Sequence, residues 1–402
     1  MRGDLAALNP TRGVPRVLLV TGAYYPEISA AAVQCRAVAA AIGDRAELSV
    51  LTTAVDPALP SRDNVDGRPV ARILVDVARG GSTAVASVRL VRRLLQASGT
   101  YDMIHVHGFS RKNVPVSLLA RLLGKPVVLT LHTAGQDEPA FVRRKGRLAA
   151  WAFESARATM AVSPDLVTRW RAAGLPGDRI RLVPNGVDTR RFRPAAAHER
   201  LELRRALGWA DADRVVLFVG FFSRDKRPDL LVRAWRRLGD AGVRFRIAFV
   251  GAKKSGYYEI DESLADEVAR EAAASGRAGD ILFVDPGHDV ERYYRAADAF
   301  ALPSIREAHP LALLEAMACG LPCVATRLPG ATDALIADGD NGRLFPPDDE
   351  AALAGALEDV LRDPAAAALM GARARTTVVE RYDVTRTADE WLAVYHAVLA
   401  DA

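Results

Sequence analysis

The sequence predicts an α/β protein built from two doubly wound domains in series. Short apolar runs rich in β-branched residues alternate with longer Ala-, Leu- and Arg-rich helical patterns, and this alternation is interrupted once and then restarts. Continuous apolar strands between amphipathic helices are typical of parallel sheets covered by helices on both faces. At 402 residues the chain also exceeds the usual size of a single hydrophobic core.

The first domain is predicted from seven runs that alternate between strand and helix patterns. In order they read VPRVLLVTG, AAVQCRAVAAAIG, AELSVLTT, SVRLVRRLLQAS, YDMIHVHG, VSLLARLLG and KPVVLTLH. The second domain begins with the strand DRVVLFVG and continues with PDLLVRAWRRLG, FRIAFVG, DESLADEVAREAAASG, DILFVDPG, VERYYRAAD, AFALPS, PLALLEAMACG and PCVAT.

The two domains are joined by the segment from Arg179 to Ala197, whose Pro184, Asn185 and Gly186 are turn residues. We predict an N-terminal domain at 14–190 and a C-terminal domain at 191–384. The amphipathic pattern at about 385–400 allows a last helix to pack back onto the first domain. Ligands of such sheets bind outside the carboxyl ends of the strands, so we expect the site in an interdomain cleft.

The composition excludes membrane-spanning and secreted classes. No stretch approaches the about 18 apolar residues of a transmembrane helix, and the first apolar run, Val17 to Val20, is too short for a signal peptide. We therefore expect a cytoplasmic protein. Cys35, Cys319 and Cys323 fit no disulfide or zinc pattern and are expected to be packing residues.

Charge is distributed unevenly along the chain. Residues 1–190 contain 26 Lys and Arg against 15 Asp and Glu, whereas residues 191–402 contain 28 against 34. A basic first half favours a phosphorylated or lipid-linked substrate or an anionic membrane surface. The densest cluster is RRKGR at Arg143 to Arg147, for which a solvated helix face is the alternative. Nucleic acid is not expected, because only Phe141 and Trp151 lie near this cluster.

The segment SIREAHPLALLEAMACG carries two carboxylates eight positions apart, Glu307 and Glu315. Pro310 suits the first position of a helix and Gly320 suits its C-terminal end, which predicts a helix at about 310–319. The N–H groups of Leu311 and Ala312 would then be free to bind a phosphate. Both carboxylates could accept hydrogen bonds from sugar or ribose hydroxyls; alternatively, they are a charge in the first turn and a solvated side chain.

These residues resemble the E-x7-E motif of retaining glycosyltransferases of the GT-B fold, and EAMACGLPCVAT is similar to glycosyltransferase family 4. RLVPNGVDTRRF, AVSPDL, DGDNGRLFPPDDEAALAGAL and YYPE add to the resemblance, which covers nearly the whole chain. It implies two Rossmann-like domains, an N-terminal one for the acceptor and a C-terminal one for a nucleoside diphosphate sugar. The activity it implies is transfer of a sugar with retention at the anomeric carbon, without a metal or other cofactor.

The resemblance also implies roles for single residues. Glu315 would accept from the ribose hydroxyls and Glu307 would hold the donor sugar, while Lys226 would bind the diphosphate and His132 would contact the sugar near the reacting centre. Lys226 follows a strand that ends at Gly220, so its loop is expected on the donor side. Developing charge on a diphosphate leaving group can be stabilised by Lys, Arg or a helix N-terminus.

The chain departs from the pattern of this family at three places. Ser29, Ala30 and Ala31 stand where many members have a Gly pair, and we place Ser29 and Ala30, with His107, on the acceptor side. Phe221 stands where members often have Arg, and Arg224 could supply that cation. His309 and Pro310 replace Phe-Gly in the donor-binding segment, which leaves only the N–H groups beyond Pro310 for phosphate.

No carboxylate in the first domain occupies a motif that would make it a nucleophile, so front-side attack is favoured over a covalent intermediate. Two alternatives are a nucleotide-sugar-binding protein with a decayed site and a GT-B-like epimerase. The acceptor could be a saccharide, a lipid-linked saccharide or a small molecule. A lipid-linked acceptor would place the protein at the inner membrane surface as a peripheral protein.

Overall fold

A computed structural model describes residues 13–76, 82–251, 260–285, 287 and 289–401. The chain forms two compact units. The first contains the described residues up to Ala161, Arg169–Val183 and the residues from Ala388 onward, and the second contains Val162–Thr168 and Pro184–Thr387.

The first unit contains an eight-stranded sheet. Its strands are β1 (Arg16–Thr21), β2 (Glu47–Ala54), β3 (Arg62–Val65), β4 (Arg68–Leu74), β5 (Met103–His107), β6 (Val127–Leu131), β7 (Ala158–Ala161) and β8 (Ile180–Leu182). They are ordered β3-β4-β2-β1-β5-β6-β7-β8, and all neighbours are parallel except β3 and β4. The helices in the same part of the chain are α1 (Ala30–Ile42), α2 (Ser82–Gln96), α3 (Asn113–Leu122), α4 (Pro139–Arg144), α5 (Arg147–Glu154) and α6 (Pro164–Ala172).

The antiparallel hairpin of β3 and β4 was not predicted. Asp66 and Gly67 form its turn, both with positive φ (51° and 81°), and Val65 pairs with Arg68 across it. An Asp-Gly pair with positive φ at both positions is the usual sequence of a two-residue hairpin loop, so the signal was present in the sequence.

The second unit contains a fully parallel six-stranded sheet. Its strands are β9 (Val215–Val219), β10 (Arg246–Val250), β11 (Ile281–Val284), β12 (Ala299–Leu302), β13 (Cys323–Thr326) and β14 (Arg343–Phe345), in the order β11-β10-β9-β12-β13-β14. The later helices are α7 (Ala197–Ala206), α8 (Pro228–Asp240), α9 (Glu262–Ala274), α10 (Glu291–Ala296), α11 (Leu311–Ala318), α12 (Glu350–Arg362), α13 (Pro364–Arg381) and α14 (Val384–Ala400).

The core of the second unit lies on both faces of this sheet, as the continuous apolar strands predict. Val215 and Leu217 of β9 belong to one buried cluster, and Val216 and Phe218 belong to the other. Alternate residues of a strand face opposite sides of a sheet, so both faces of β9 are covered. The predicted fold class, two doubly wound α/β units, is confirmed by these two sheets.

The boundary between the compact units lies at 183/184 rather than at the predicted 190/191. Backbone hydrogen bonds explain the difference: the N–H of Val187 donates to the carbonyl of Tyr382, and the N–H of Val384 donates to the carbonyl of Val187. These bonds fasten the turn segment to the second unit. Within α14, the residues from Ala388 onward belong to the first unit.

All three cysteines are buried and free. Burial raises the pKa of each thiol, which keeps them in the neutral form. Among the described helices, none combines the length and the apolar character that crossing a membrane requires.

Candidate active site

Helix α11 begins one residue later than predicted. Pro310 has an extended backbone (φ −71°, ψ 115°) and is the residue before the helix, which runs from Leu311 to Ala318. The N–H of Leu314 donates to the carbonyl of Pro310, whereas the N–H groups of Leu311 and Ala312 donate to none of the described residues. The predicted pair of free donors is therefore present at the start of α11.

Glu315 lies in the middle of α11 and is 9% exposed. The hydroxyl of Tyr294 donates to Oε2 at 2.8 Å, and Oε1 has no hydrogen-bond partner among the described residues. Burial raises the pKa of Glu315 to about 7, against the hydrogen bond from Tyr294, which lowers it. The interpretation of Glu315 as a solvated side chain is wrong, because the side chain is buried and bonds Tyr294, a residue of the hydrophobic core.

Lys226 and Glu307 form an ion pair, with 2.6 Å between Nζ and Oε1. They lie in loops that follow β9 and β12, which are neighbours in the sheet. The N–H of Ile305 donates to the carbonyl of Asp225, which fastens one loop to the other. Two residues that the sequence assigned to one donor site are thus brought together by the strand order.

Gly220 directly follows β9, one residue beyond its observed end, and its N–H donates to the carbonyl of Val250. Gly251 directly follows the neighbouring strand β10, and a Cβ there would lie 1.8 Å from the carbonyl oxygen of Gly220. Residue 251 must therefore be glycine for these two loops to leave the sheet side by side.

Arg224 lies in the same loop as Lys226 but is paired elsewhere. Its guanidinium contacts Asp261 (2.8 Å) and Glu267 (3.1 Å), and the hydrogen bond to Asp261 is the main reason that the pKa of Arg224 is raised. The structure does not bring Arg224 to Glu307. Its proposed function as the missing diphosphate-binding cation stays a prediction and gains no support from these contacts.

His309 is buried against the ring of Tyr382, with 5.3 Å between the ring centroids. Burial lowers the pKa of His309 to about 3, so the imidazole is neutral, and its Nδ1 has no hydrogen-bond partner among the described residues. The side-chain amide of Asn185 donates to the carbonyl of His309 at 2.8 Å. The sequence predicts Asn185 only as a turn residue, whereas in the structure its amide binds the segment that leads into α11.

In the first unit, His107 and His132 follow or end neighbouring strands, β5 and β6. Nδ1 of His107 lies 3.0 Å from Nε2 of His132, within hydrogen-bond distance. Burial lowers the pKa of His132 to about 4 and that of His107 well below its usual value, so both rings are neutral near pH 7. His132 can therefore donate or accept a hydrogen bond at neutral pH but carries no charge there.

The C-terminal helix α14 packs against these histidines. Trp391 lies 5.0 Å from the ring of His107, and the hydroxyl of Tyr395 lies 2.7 Å from Nδ1 of His105. His105 also lies 2.7 Å from the hydroxyl of Thr130. His107 therefore contacts His132 and the last helix; these contacts do not test its predicted role on the acceptor side.

Asp137 was missed by the sequence reasoning. Its buried carboxylate accepts hydrogen bonds from three backbone N–H groups, those of Phe109 (2.7 Å), His132 (2.8 Å) and Thr133 (3.0 Å). It therefore ties the loop after β5 to the loop that carries His132. The signal in the sequence was a single Asp five positions after a strand-end His, which is too weak without the fold.

Ser29 is the N-cap of α1, and its hydroxyl accepts a hydrogen bond from the N–H of Ala32 at 3.1 Å. Ala30 is the first residue of the helix and is exposed. A capping serine is a sufficient local reason for this residue type. The predicted acceptor contacts of Ser29 and Ala30 stay predictions.

Comparison with known proteins identifies the family. The model described as Glycosyltransferase Family 4 matches residues 31–191, and the model described as Glycosyl transferases group 1 matches residues 199–377. A D-inositol 3-phosphate glycosyltransferase of Stackebrandtia nassauensis is 34% identical over 319 residues, which are 75% of this chain and 69% of that protein. The chain belongs to glycosyltransferase family 4.

This glycosyltransferase has further relatives of the same kind. A D-inositol 3-phosphate glycosyltransferase of Saccharomonospora viridis is 35% identical over 76% of the chain and 72% of that protein. The resemblance stated from the sequence is confirmed, and the chain is an enzyme of the transferase class.

Solved structures confirm the GT-B fold of the glycosyltransferase. HepE of Anabaena, in complex with UDP and glucose, matches with a TM-score of 0.77 at 20% identity and covers 94% of this chain and 99% of that chain. Sucrose-phosphate synthase from Thermosynechococcus elongatus matches with a TM-score of 0.79 at 21% identity and covers 96% of this chain and 100% of that chain.

Proposed function

We propose that this glycosyltransferase moves a sugar from a nucleoside diphosphate sugar to an acceptor hydroxyl with retention at the anomeric carbon. The observation that carries the proposal is the Lys226–Glu307 ion pair in the loops that follow two adjacent strands. Glu307 leads into α11, whose first N–H groups are free, and Glu315 keeps one carboxylate oxygen without a partner among the described residues. The cation and the backbone N–H groups would bind the diphosphate, and the two carboxylates would accept hydrogen bonds from the hydroxyls of the sugar and the ribose.

The chemistry follows from the charges that develop during transfer. The bond between the anomeric carbon and the diphosphate oxygen breaks, so the diphosphate gains negative charge, which Lys226 and the N–H groups of Leu311 and Ala312 would stabilise. Glu307 would accept hydrogen bonds from the sugar hydroxyls while Lys226 neutralises its charge. His132, neutral at pH 7, would donate a hydrogen bond to the sugar without adding charge.

We attribute the retention of configuration at the anomeric carbon to front-side attack. The acceptor oxygen bonds to the anomeric carbon on the face from which the diphosphate leaves, and the acceptor proton passes to the departing phosphate oxygen. This scheme needs no enzyme nucleophile and no metal. Trapping of a covalent glycosyl-enzyme would contradict it.

For substrates, we propose UDP-sugars as donors and a phosphorylated polyol as acceptor, with D-inositol 3-phosphate as the first compound to test. UDP is bound in the structurally similar HepE, and the relatives above are named for D-inositol 3-phosphate. The excess of Lys and Arg in residues 1–190 favours an anionic acceptor. Saccharides and lipid-linked saccharides are the acceptors to test next.

The deciding experiment is calorimetric binding of UDP-, GDP-, ADP- and dTDP-sugars, with and without EDTA, to the original protein and to Glu315→Ala. We expect selective binding that EDTA leaves unchanged and that weakens at least tenfold in the variant, because two ribose hydroxyls lose their acceptor. NMR of the product made from the bound donor and D-inositol 3-phosphate would then give the anomeric configuration. Absence of any nucleotide binding would refute the proposal.

A further inference from the structure

The first unit contains an arginine-lined pocket near the amino ends of its parallel strands, whereas His107 and His132 lie at the carboxyl ends. The pocket has a volume of about 790 Å³, and its lining includes Arg121, Arg143, Arg147, Arg157, Arg179 and Trp151. We call these six residues the arginine pocket. Glu154 is the one acidic residue in the lining.

The position of the pocket follows from the chain direction. Arg157 directly precedes β7 and Arg179 directly precedes β8, so the pocket lies at the edge where these parallel strands begin. His107 ends β5 and His132 follows β6, at the opposite edge of the same sheet. The arginine pocket is therefore a separate surface from the edge that carries the histidines.

Two arginines of the pocket have side chains without a partner among the described residues. Arg143 pairs with Glu154 at 2.9 Å, and Arg157 pairs with Asp401 at 3.4 Å. By contrast, the side chains of Arg121 and Arg147 are exposed and form no ion pair or hydrogen bond with any described residue. Five guanidinium groups against one lining carboxylate leave a positive site that would attract phosphate groups.

Apolar side chains stand beside these two free arginines. Leu122, the neighbour of Arg121, is 84% exposed, and Leu148, the neighbour of Arg147, is 65% exposed. Trp151 is half-buried, so its indole lies partly at the surface. Exposed leucines and a tryptophan among arginines are typical of surfaces that rest in the headgroup region of a bilayer.

The basic character extends beyond the pocket. From Ser82 to Arg157, which spans α2, α3, α4 and α5, the chain contains twelve Lys and Arg against four Asp and Glu. Helix α3 packs against both α2 and α5, and α2 exposes Val88 (70%). A small soluble anion would need only the arginines, whereas a broad basic face with exposed leucines fits an extended anionic surface.

We propose that the arginine pocket with Leu122 and Leu148 is a docking surface for an anionic lipid bilayer. The guanidinium groups would bind lipid phosphates, and the two leucines and Trp151 would enter the boundary between headgroups and acyl chains. Docking through this edge would leave the opposite edge of the sheet, with His107 and His132, away from the lipid. The proposal is independent of which donor or acceptor the enzyme uses.

The test is cosedimentation of the full-length protein with vesicles of phosphatidylcholine alone and of phosphatidylcholine mixed with phosphatidylglycerol. We expect binding only to the mixed vesicles and release at high salt. The variant Arg121→Gln/Arg147→Gln should bind roughly 30-fold more weakly, since each basic residue near an anionic surface contributes about 1 kcal/mol and two such residues are lost. Leu122→Ser/Leu148→Ser should also bind more weakly, with both charges still present.

The matched control is Arg236→Gln/Arg362→Gln, which removes two exposed arginines from the second unit. It should bind like the original protein, and thermal melting should show that all variants are folded. Equal binding to both kinds of vesicle, or unchanged binding of Arg121→Gln/Arg147→Gln, would overturn the proposal. Binding of soluble glycerol phosphate at the pocket without vesicle binding would overturn it too, in favour of a soluble anion.

Discussion

Lys226 and Glu307 are joined by a 2.6 Å contact between Nζ and Oε1, although 81 positions separate them in the chain. The side chain of Glu307 is 8% exposed and that of Lys226 is 31% exposed. The lysine therefore neutralises a nearly buried carboxylate while its own side chain stays partly exposed. The same ion pair therefore contributes to the stability of the second unit and to the proposed diphosphate site.

Replacing Lys226 should affect both turnover and stability. Lys226→Met should lower kcat about 100- to 1000-fold, because the leaving diphosphate loses a fixed cation. It should also lower the free energy of unfolding by about 1–3 kcal/mol, because the Glu307 carboxylate loses its partner. In Lys226→Met/Glu307→Gln the stability should recover while turnover stays low, which urea denaturation and steady-state kinetics would establish. A double variant as unstable as the single one would contradict this account.

Arg224→Ala should leave turnover within about threefold of the original. The guanidinium of Arg224 already contacts Asp261 and Glu267, and exposed ion pairs contribute little. Lys226→Met, in the same loop, is the matched comparison in the same kinetic assay. A loss as large as that of Lys226→Met would mean that Arg224 leaves its carboxylates to bind the donor, as the sequence suggested.

Glu315 should make stability depend on pH. Burial raises its pKa from 4.5 to about 7, so the folded state holds this proton more tightly than the unfolded state does. Stability should therefore fall as pH rises from about 4.5 to 7, by about 3 kcal/mol in all, and stay low above that range. In Glu315→Gln this decline should be absent, as urea denaturation at several pH values would show.

The control for Glu315 is Glu202→Gln, which changes an exposed carboxylate of α7 and should keep the pH dependence of the original protein. Donor binding should show the opposite trend, because the ionised form of Glu315 is the better acceptor for ribose hydroxyls. The nucleotide should bind more weakly at pH 6 than at pH 8. Equal affinity at both values would contradict the role of Glu315 as an acceptor.

Asn185→Ala should weaken both the fold and donor binding. The variant leaves the buried carbonyl of His309 without its 2.8 Å donor, which costs about 1–3 kcal/mol. Since His309 leads directly into α11, the helix start should become less well positioned, and calorimetry should show lower nucleotide affinity. Asn341→Ala is the control, because Asn341 is an equally buried amide of the same unit that bonds Ala337 and Leu335. Its loss should lower stability alone.

Asp137→Asn should lower stability and turnover together. An amide nitrogen cannot accept, so at least one of the three backbone N–H groups that bond Asp137 would lose its partner, at a cost of about 1–3 kcal/mol. Because one of those groups belongs to His132, transfer should slow as well. Glu138→Gln, the neighbouring carboxylate that bonds Gly135 and Arg169, should have a smaller effect on turnover. Equal effects of the two variants would argue against an anchoring role for Asp137.

Much of the fold could be predicted because it depends on local pattern. Strands β9 and β12 form from apolar runs of a few residues. Helix α11 is likewise delimited by residues next to its ends, Pro310 before it and Gly320 after it. The same locality explains the one-residue error at Pro310, since a proline fits both before the helix and at its first position. The hairpin at Asp66 and Gly67 is equally local, because the Asp-Gly pair specifies its turn.

The candidate site divides in the same way. Glu307, Glu315, Lys226 and His132 stand in motifs of consecutive residues, so they could be predicted from the sequence, as could the family and the two-unit α/β architecture. The partners of these side chains depend on the tertiary structure. Arg224 pairs with Asp261, Asn185 donates to the carbonyl of His309, and Asp137 accepts from three backbone N–H groups. These contacts form because the order of the strands brings together loops that lie apart in the chain. Burial likewise follows from packing, which is why the pKa of Glu315 could not be read from its neighbours in sequence.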